Sequence, residues 1–161
     1  IRLKVHGLMR GGTHALAGVL IGAALTIDSV SLIPIVGAIA AGALGALAPD
    51  LDHPQAALSR KIGPLALPFR LVKHRGILHS GVAAAIAIGA AALGVSIYAT
   101  AAGLGYVSHL VLDGLTVQGI PLLWPSGRRF RLLGLTTGGI GELVVLLGLL
   151  GALVALFGAR L

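Results

Sequence analysis

From Val30 to Ala48 the chain runs 19 residues without a charged side chain, and further apolar stretches recur along its 161 residues. At about 1.5 Å per helical residue such a stretch reaches ~28 Å, close to the ~30 Å of hydrocarbon in a bilayer. Membrane-spanning helices are the expected outcome. Composition agrees, with 57% hydrophobic and only 11% charged residues, where a soluble domain carries about a quarter charged. Small residues let helix backbones approach closely in lipid, and Gly18-x-x-x-Gly22 and the run from Gly37 to Ala46 are packing signals of that kind. Cysteine is absent, which excludes disulfides and thiolate metal sites.

Five spans are expected, over Gly12 to Ile27, Val30 to Ala48, Ile77 to Leu93, Ile97 to Leu115 and Ile140 to Phe157. Gly94-Val95-Ser96 supplies the turn between the third and fourth, and Pro34 is tolerable in the first turn of the second. Between the second and third spans, Arg60, Lys61, Arg70, Lys73 and Arg75 alternate with apolar residues while Pro64 and Pro68 interrupt any long helix. This reads as a surface-lying or partly re-entrant segment. The loop from Thr116 to Gly139 holds Trp124-Pro125, an interfacial aromatic, and three arginines. The fold class is therefore all-α, a polytopic integral membrane helical bundle with an interfacial cytoplasmic segment. Residues 1–11 form a leader, with Met9 as the expected natural start, and residues 12–161 a single domain.

Five alternating spans sort the charges. Arg2, Lys4, Arg10, Arg60, Lys61, Arg70, Lys73, Arg75, Arg128, Arg129 and Arg131 fall on one side and Arg160 alone on the other. The positive-inside rule makes the first side cytoplasmic, which puts the N-terminus and both long loops in the cytoplasm of an inner-membrane protein. The net charge of +7 is scattered through these loops without interleaved aromatics. It points to anionic headgroups and topology, and no nucleic-acid partner is expected.

The ionisable residues gather on the same side. Pro49-Asp50-Leu51-Asp52-His53-Pro54 follows the second span, His14 opens the first, His74 and His79 flank the start of the third, His109 and Asp113 close the fourth, and Glu142 opens the fifth. Ionisable groups at membrane depth are costly unless paired or metal-bound, so one convergent site is the expectation. Polar helix ends reaching water are the plain alternative. His109 and Asp113 stand four apart on a helix, hence on one face, as two ligands for one ion or as a simple hydrogen-bonded pair.

Thr13-His14, Pro49-Asp50-Leu51-Asp52-His53, His74-Arg75-Gly76-Ile77-Leu78-His79-Ser80, Gly105-Tyr106-Val107-Ser108-His109-Leu110-Val111-Leu112-Asp113 and Leu122-Leu123-Trp124-Pro125 occur in this order. In them the sequence resembles the LexA-binding, inner-membrane-associated hydrolases, also called YdjM-like membrane-bound metal-dependent hydrolases. The resemblance covers about Thr13 to Pro125. It implies a metal-dependent hydrolase of the cytoplasmic membrane, with some likeness to zinc-dependent phospholipase C.

Seven candidate ligands, His14, Asp50, Asp52, His53, His79, His109 and Asp113, exceed the about three that one catalytic zinc takes, so two ions are expected. Imidazole and carboxylate without thiolate favour zinc, with manganese or iron as alternatives. A small phosphoester or lipid phosphoester substrate is expected, bound by Arg75, with Arg70, Lys73 and His74 beside it; Asp52, Glu142 and Arg75 are the candidate catalytic groups. Two other readings stay open: a metal-ion transporter or sensor, and a non-catalytic interaction protein whose metal is structural and which binds a protein partner. A topology reporter fused beside Arg70 is expected to read cytoplasmic, and an external reading would overturn the orientation drawn from the charges.

Overall fold

The computed structural model describes residues 11–71 and 75–158. The helices are α1 (Gly11–Leu25), α2 (Leu32–Leu47), α3 (Ala57–Ile62), α4 (Leu67–Arg70), α5 (Gly81–Ala92), α6 (Ile97–Gly114) and α7 (Ile140–Gly158). Among the described residues there is no strand, only isolated bridges pairing Thr116 with Leu135 and Ile120 with Phe130. The expected leader lies almost wholly outside the described residues.

Backbone contact decides the arrangement. A Cβ added at Gly18 would stand 2.2 Å from the Gly42 carbonyl oxygen, and one added at Gly105 would stand 2.2 Å from that same oxygen. Gly42 is thus the point where α1 and α6 both press onto α2, an approach that only small residues permit. α5 packs on α6, and α7 packs chiefly on α1. Val145 and Leu149 of α7 reach the small core formed by Ala17 and Leu112.

Helix ends follow local chemistry. Ser80 and Ser96 cap α5 and α6, their hydroxyls accepting from the backbone N–H groups of Ala83 (3.3 Å) and Ala99 (3.1 Å). Gly94 makes the intervening turn at φ +59°, as the sequence predicts. α2 runs on from Leu47 into a tighter 3₁₀ turn over Ala48–Asp52. α3, the turn Gly63–Ala66 and α4 occupy the segment expected to lie at the interface, with Leu65, Leu67, Phe69 and Leu71 exposed beside exposed Arg60 and Lys61.

Among the described residues, two helices are long and apolar enough to cross a bilayer unaided: α2 with its following turn, Leu32–Asp52, and α7, Ile140–Gly158. α1 and α5, at 15 and 12 residues, reach only ~22 and ~18 Å. The third expected span is shortened because its first residues, Ile77–His79, form a separate 3₁₀ turn.

Because the Gly42 position has backbone on two sides, Gly42→Val is expected to cost about 1–3 kcal/mol by overpacking. Gly89, whose added Cβ would meet nothing within 4 Å, should accept alanine with a gain of up to ~1 kcal/mol. Thermal unfolding in detergent followed by circular dichroism reads both. Equal midpoints for the two variants would contradict the packing.

Candidate metal centre

The cluster is assembled from four parts of the chain. α1 supplies His14, the turn after α2 supplies Asp50, the turn before α5 supplies His79, and α6 supplies His109 and Asp113. All five are buried. Asp50 is the least enclosed, its side chain 12% exposed against 2% or less for the others.

Its organising contact comes from a shortage of donors. In the 3₁₀ register entered after α2, the donor for the Ala46 carbonyl would be residue 49, and Pro49 has no N–H. The carbonyl accepts instead from His109 Nδ1, at 2.7 Å. A carbonyl can only accept, so Nδ1 carries the proton and Nε2 presents its lone pair to the cluster. That Nε2 is buried, makes no hydrogen bond, and lies 3.7 Å from both Asp50 Oδ1 and Asp113 Oδ2.

His79 faces the same two carboxylates. Its Nε2 is 3.5 Å from Asp50 Oδ1 and 3.7 Å from Asp113 Oδ2. Its other nitrogen, Nδ1, lies 3.9 Å from Asp52 Oδ2. Four separations of 3.5–3.7 Å thus link the two imidazoles to the two carboxylates. A tetrahedral zinc with bonds of ~2.0–2.1 Å separates its ligand atoms by about 3.3–3.4 Å, so a contraction of a few tenths of an ångström would fit the ion. Charge fits as well: within the cluster, Asp50, Asp52 and Asp113 against Arg75 leave two negative charges, the balance a divalent cation would neutralise.

His14 approaches from the opposite edge. Its ring stacks on His109 with centroids 3.8 Å apart, and its Nε2 lies 3.5 Å from Asp113 Oδ1. Two groups of three could hold an ion, Asp50 with His79 and His109, and His14 with His109 and Asp113. Both require His109, whose Nδ1 is engaged by Ala46. Its single remaining nitrogen serves one ion at a time.

The other candidates from the sequence are placed differently. Asp52 is buried, lies 3.9 Å from His79 Nδ1 and accepts the Arg75 backbone N–H at 3.3 Å. His53 leaves the turn in an extended conformation, is only half-buried, and accepts from the Gln55 N–H at 3.2 Å; it belongs to neither group of three. Glu142 accepts from Thr13 Oγ1 (2.9 Å) and from the Gly138 N–H (2.6 Å), which ties the start of α7 to α1. Arg70 binds the Ser59 hydroxyl and carbonyl at 3.1–3.2 Å, joining α4 to α3. Lys73 and His74 lie outside the described residues.

Arg75 does more than the sequence suggests. It is 5% exposed, donates from NH1 to the Gly119 carbonyl at 2.8 Å, and places NH2 2.7 Å from Asp113 Oδ2. Its φ of +54° is the left-handed conformation, which costs a non-glycine residue roughly 1–3 kcal/mol and clusters at functional sites. The roles of the Ala46 and Gly119 carbonyls carry no signal in the sequence, because any residue could supply them.

A family model described as YdjM inner membrane protein matches residues 9–160. The uncharacterized protein YvsG of Bacillus subtilis is 41% identical over 114 residues, covering 68% of this chain and 71% of that protein. The inner membrane proteins YdjM of Escherichia coli and Shigella flexneri are each 40% identical over 97 residues, covering 55% of this chain and 50% of theirs. The chain therefore spans about half the length of those two relatives. No solved structure matches.

His79→Ala and His109→Ala are each expected to lower zinc affinity at least about tenfold, the lower bound for groups that hold or orient a ligand, while His53→Ala leaves it unchanged. Zinc titration of the detergent-purified protein with a chromophoric competitor reads all three. Weakening by His53→Ala equal to that of His109→Ala would contradict the site as built here.

Proposed function

This chain belongs to the YdjM inner membrane protein family, and from that premise we propose that it is a membrane-embedded, metal-dependent phosphoesterase acting on a lipid or lipid-linked substrate. The observation that supports this best is the three-ligand set Asp50, His79 and His109, with Asp113 shared between the fourth position and Arg75. Catalytic zinc sites keep three protein ligands and one exchangeable position. Zinc is the proposed cofactor, and the shared nitrogen of His109 favours one ion over two. A second ion would have to rely on His14 and Asp113 Oδ1.

Zinc bound there would supply Lewis acidity, polarising a phosphoryl oxygen and lowering the pKa of water to ~7. The chain's own groups would do the rest. Asp52 holds His79 in orientation, and the Ala46 carbonyl does the same for His109. His14, stacked on His109 with its Nε2 3.5 Å from Asp113 Oδ1, would donate to that carboxylate and hold it in orientation. Arg75, buried and anchored by Gly119, would turn NH2 from Asp113 to a phosphoryl oxygen, where arginine can make a charge-assisted bond. Glu142, with a hydrogen bond at each carboxylate oxygen, acts as a brace between α1 and α7.

The proposed topology keeps five spans with the cluster facing the cytoplasm. Its support is that α1, α2, α5, α6 and α7 occupy the five apolar stretches and that the basic loops share one side of that topology. The short α1 and α5 would be held at depth by packing on α2 and α6.

A closed structural metal site is the second reading, in which Asp113, 3.7 Å from both His79 and His109, would join Asp50 and these two as a fourth protein ligand. Asp113→Asn separates the two. If the site is catalytic, the variant retains zinc, while hydrolysis of phospholipids or of a chromogenic phosphodiester falls by about 10²-fold or more, the scale for loss of one catalytic group. If the site is structural, zinc is lost with the substitution and the wild type hydrolyses none of these substrates.

A further inference from the structure

The start of α7 and the first turn of α1 border an open groove of about 530 Å³ that the cluster does not use. That volume lies within the ~300–1,000 Å³ typical of small-ligand sites. Gly12 and Thr13 form one wall, Ile140, Leu143 and Leu146 the other, and Gly139 lies at the junction. The one ionisable side chain in its lining, Glu142, is turned inward to Thr13 and Gly138, so the remaining surface is mostly hydrocarbon and glycine backbone.

We propose that this groove holds one acyl chain of a membrane lipid. The occupant follows from what borders it. α7 is a 19-residue apolar helix in which only Glu142 is buried, and Ile140, Val144, Leu147 and Val154 stand 57–81% exposed. In an inner-membrane protein that face lies against lipid, and the groove continues it with no polar barrier between. Gly12 keeps the groove open, since a Cβ there would meet nothing within 4 Å and would project into free space. The polar end is marked by Thr13, adjacent in the chain to His14 of the cluster, so a lipid seated here has its headgroup at the level of the metal centre. That the seated lipid is the substrate rests on the hydrolase reading; that a lipid chain is seated does not.

The test uses the full chain reconstituted in vesicles of phosphatidylethanolamine and phosphatidylglycerol, doped with a phosphatidylglycerol that carries a diazirine in one acyl chain. After photolysis, mass spectrometry maps the adducts, and zinc content is measured on the same samples. The expected result is labelling concentrated at Ile140, Leu143 and Leu146 over Val144 and Val154, which are exposed outside the groove. In Gly12→Leu, which fills the groove from its open wall, that labelling should be lost with zinc content unchanged; Leu143→Trp fills it from the other helix and should act alike. Labelling spread evenly over the exposed residues of α7, or unchanged in both filled variants, would overturn the proposal. Wild-type protein that labels as expected but holds no zinc would leave the lipid groove standing and sink the hydrolase reading alone.

Discussion

The hydrogen bond from His109 Nδ1 to the Ala46 carbonyl is the contact on which the rest of the site depends. It is made possible by Pro49, which withholds a donor where α2 tightens into its last turn, and it spans α2 and α6, which share the most extensive interface among the described residues. One bond thereby does three things. It satisfies a buried carbonyl that would otherwise cost about 1–3 kcal/mol, locks the histidine tautomer, and aims Nε2 at the two carboxylates.

That aim needs the helices at close range. Gly42 meets α1 on one side and α6 on the other, so the small-residue packing in the middle of the bundle sets the spacing of ligands at its end. Arg75 contributes from outside the bundle, through a loop held in a left-handed conformation and bonded to Gly119. Its guanidinium partly balances the buried carboxylates, which is a reason for the cluster to tolerate such deep burial.

Much of this was legible in the sequence. The five apolar stretches became helices close to their expected limits, and the four-residue spacing of His109 and Asp113 put both on one face of α6. What sequence could not resolve was direction. Asp50, Asp52 and His53 stand within four positions, yet Asp50 faces the ligand set, Asp52 backs His79, and His53 turns away because the backbone becomes extended at that residue. For Arg70 and Glu142 the structure adds partners that sequence spacing does not show. Charged residues near a membrane interface bind phosphate or brace neighbouring segments with the same chemistry, and the partners that decide, Ser59 and Thr13, are 11 and 129 residues away in the chain. The length of α5 was overestimated because apolar content does not reveal that Ile77–His79 forms a separate turn.

The order in which the cluster's members occur along the chain bears on how the protein is made. Synthesis delivers His14, then Asp50, then His79, and α6 brings His109 and Asp113 together as the last pair. Until α6 reaches its place beside α2, the Ala46 carbonyl and the Asp50 carboxylate have no partner from α6. An ion held there, as proposed, would find its residues complete only once α6 is in place, before α7 is made.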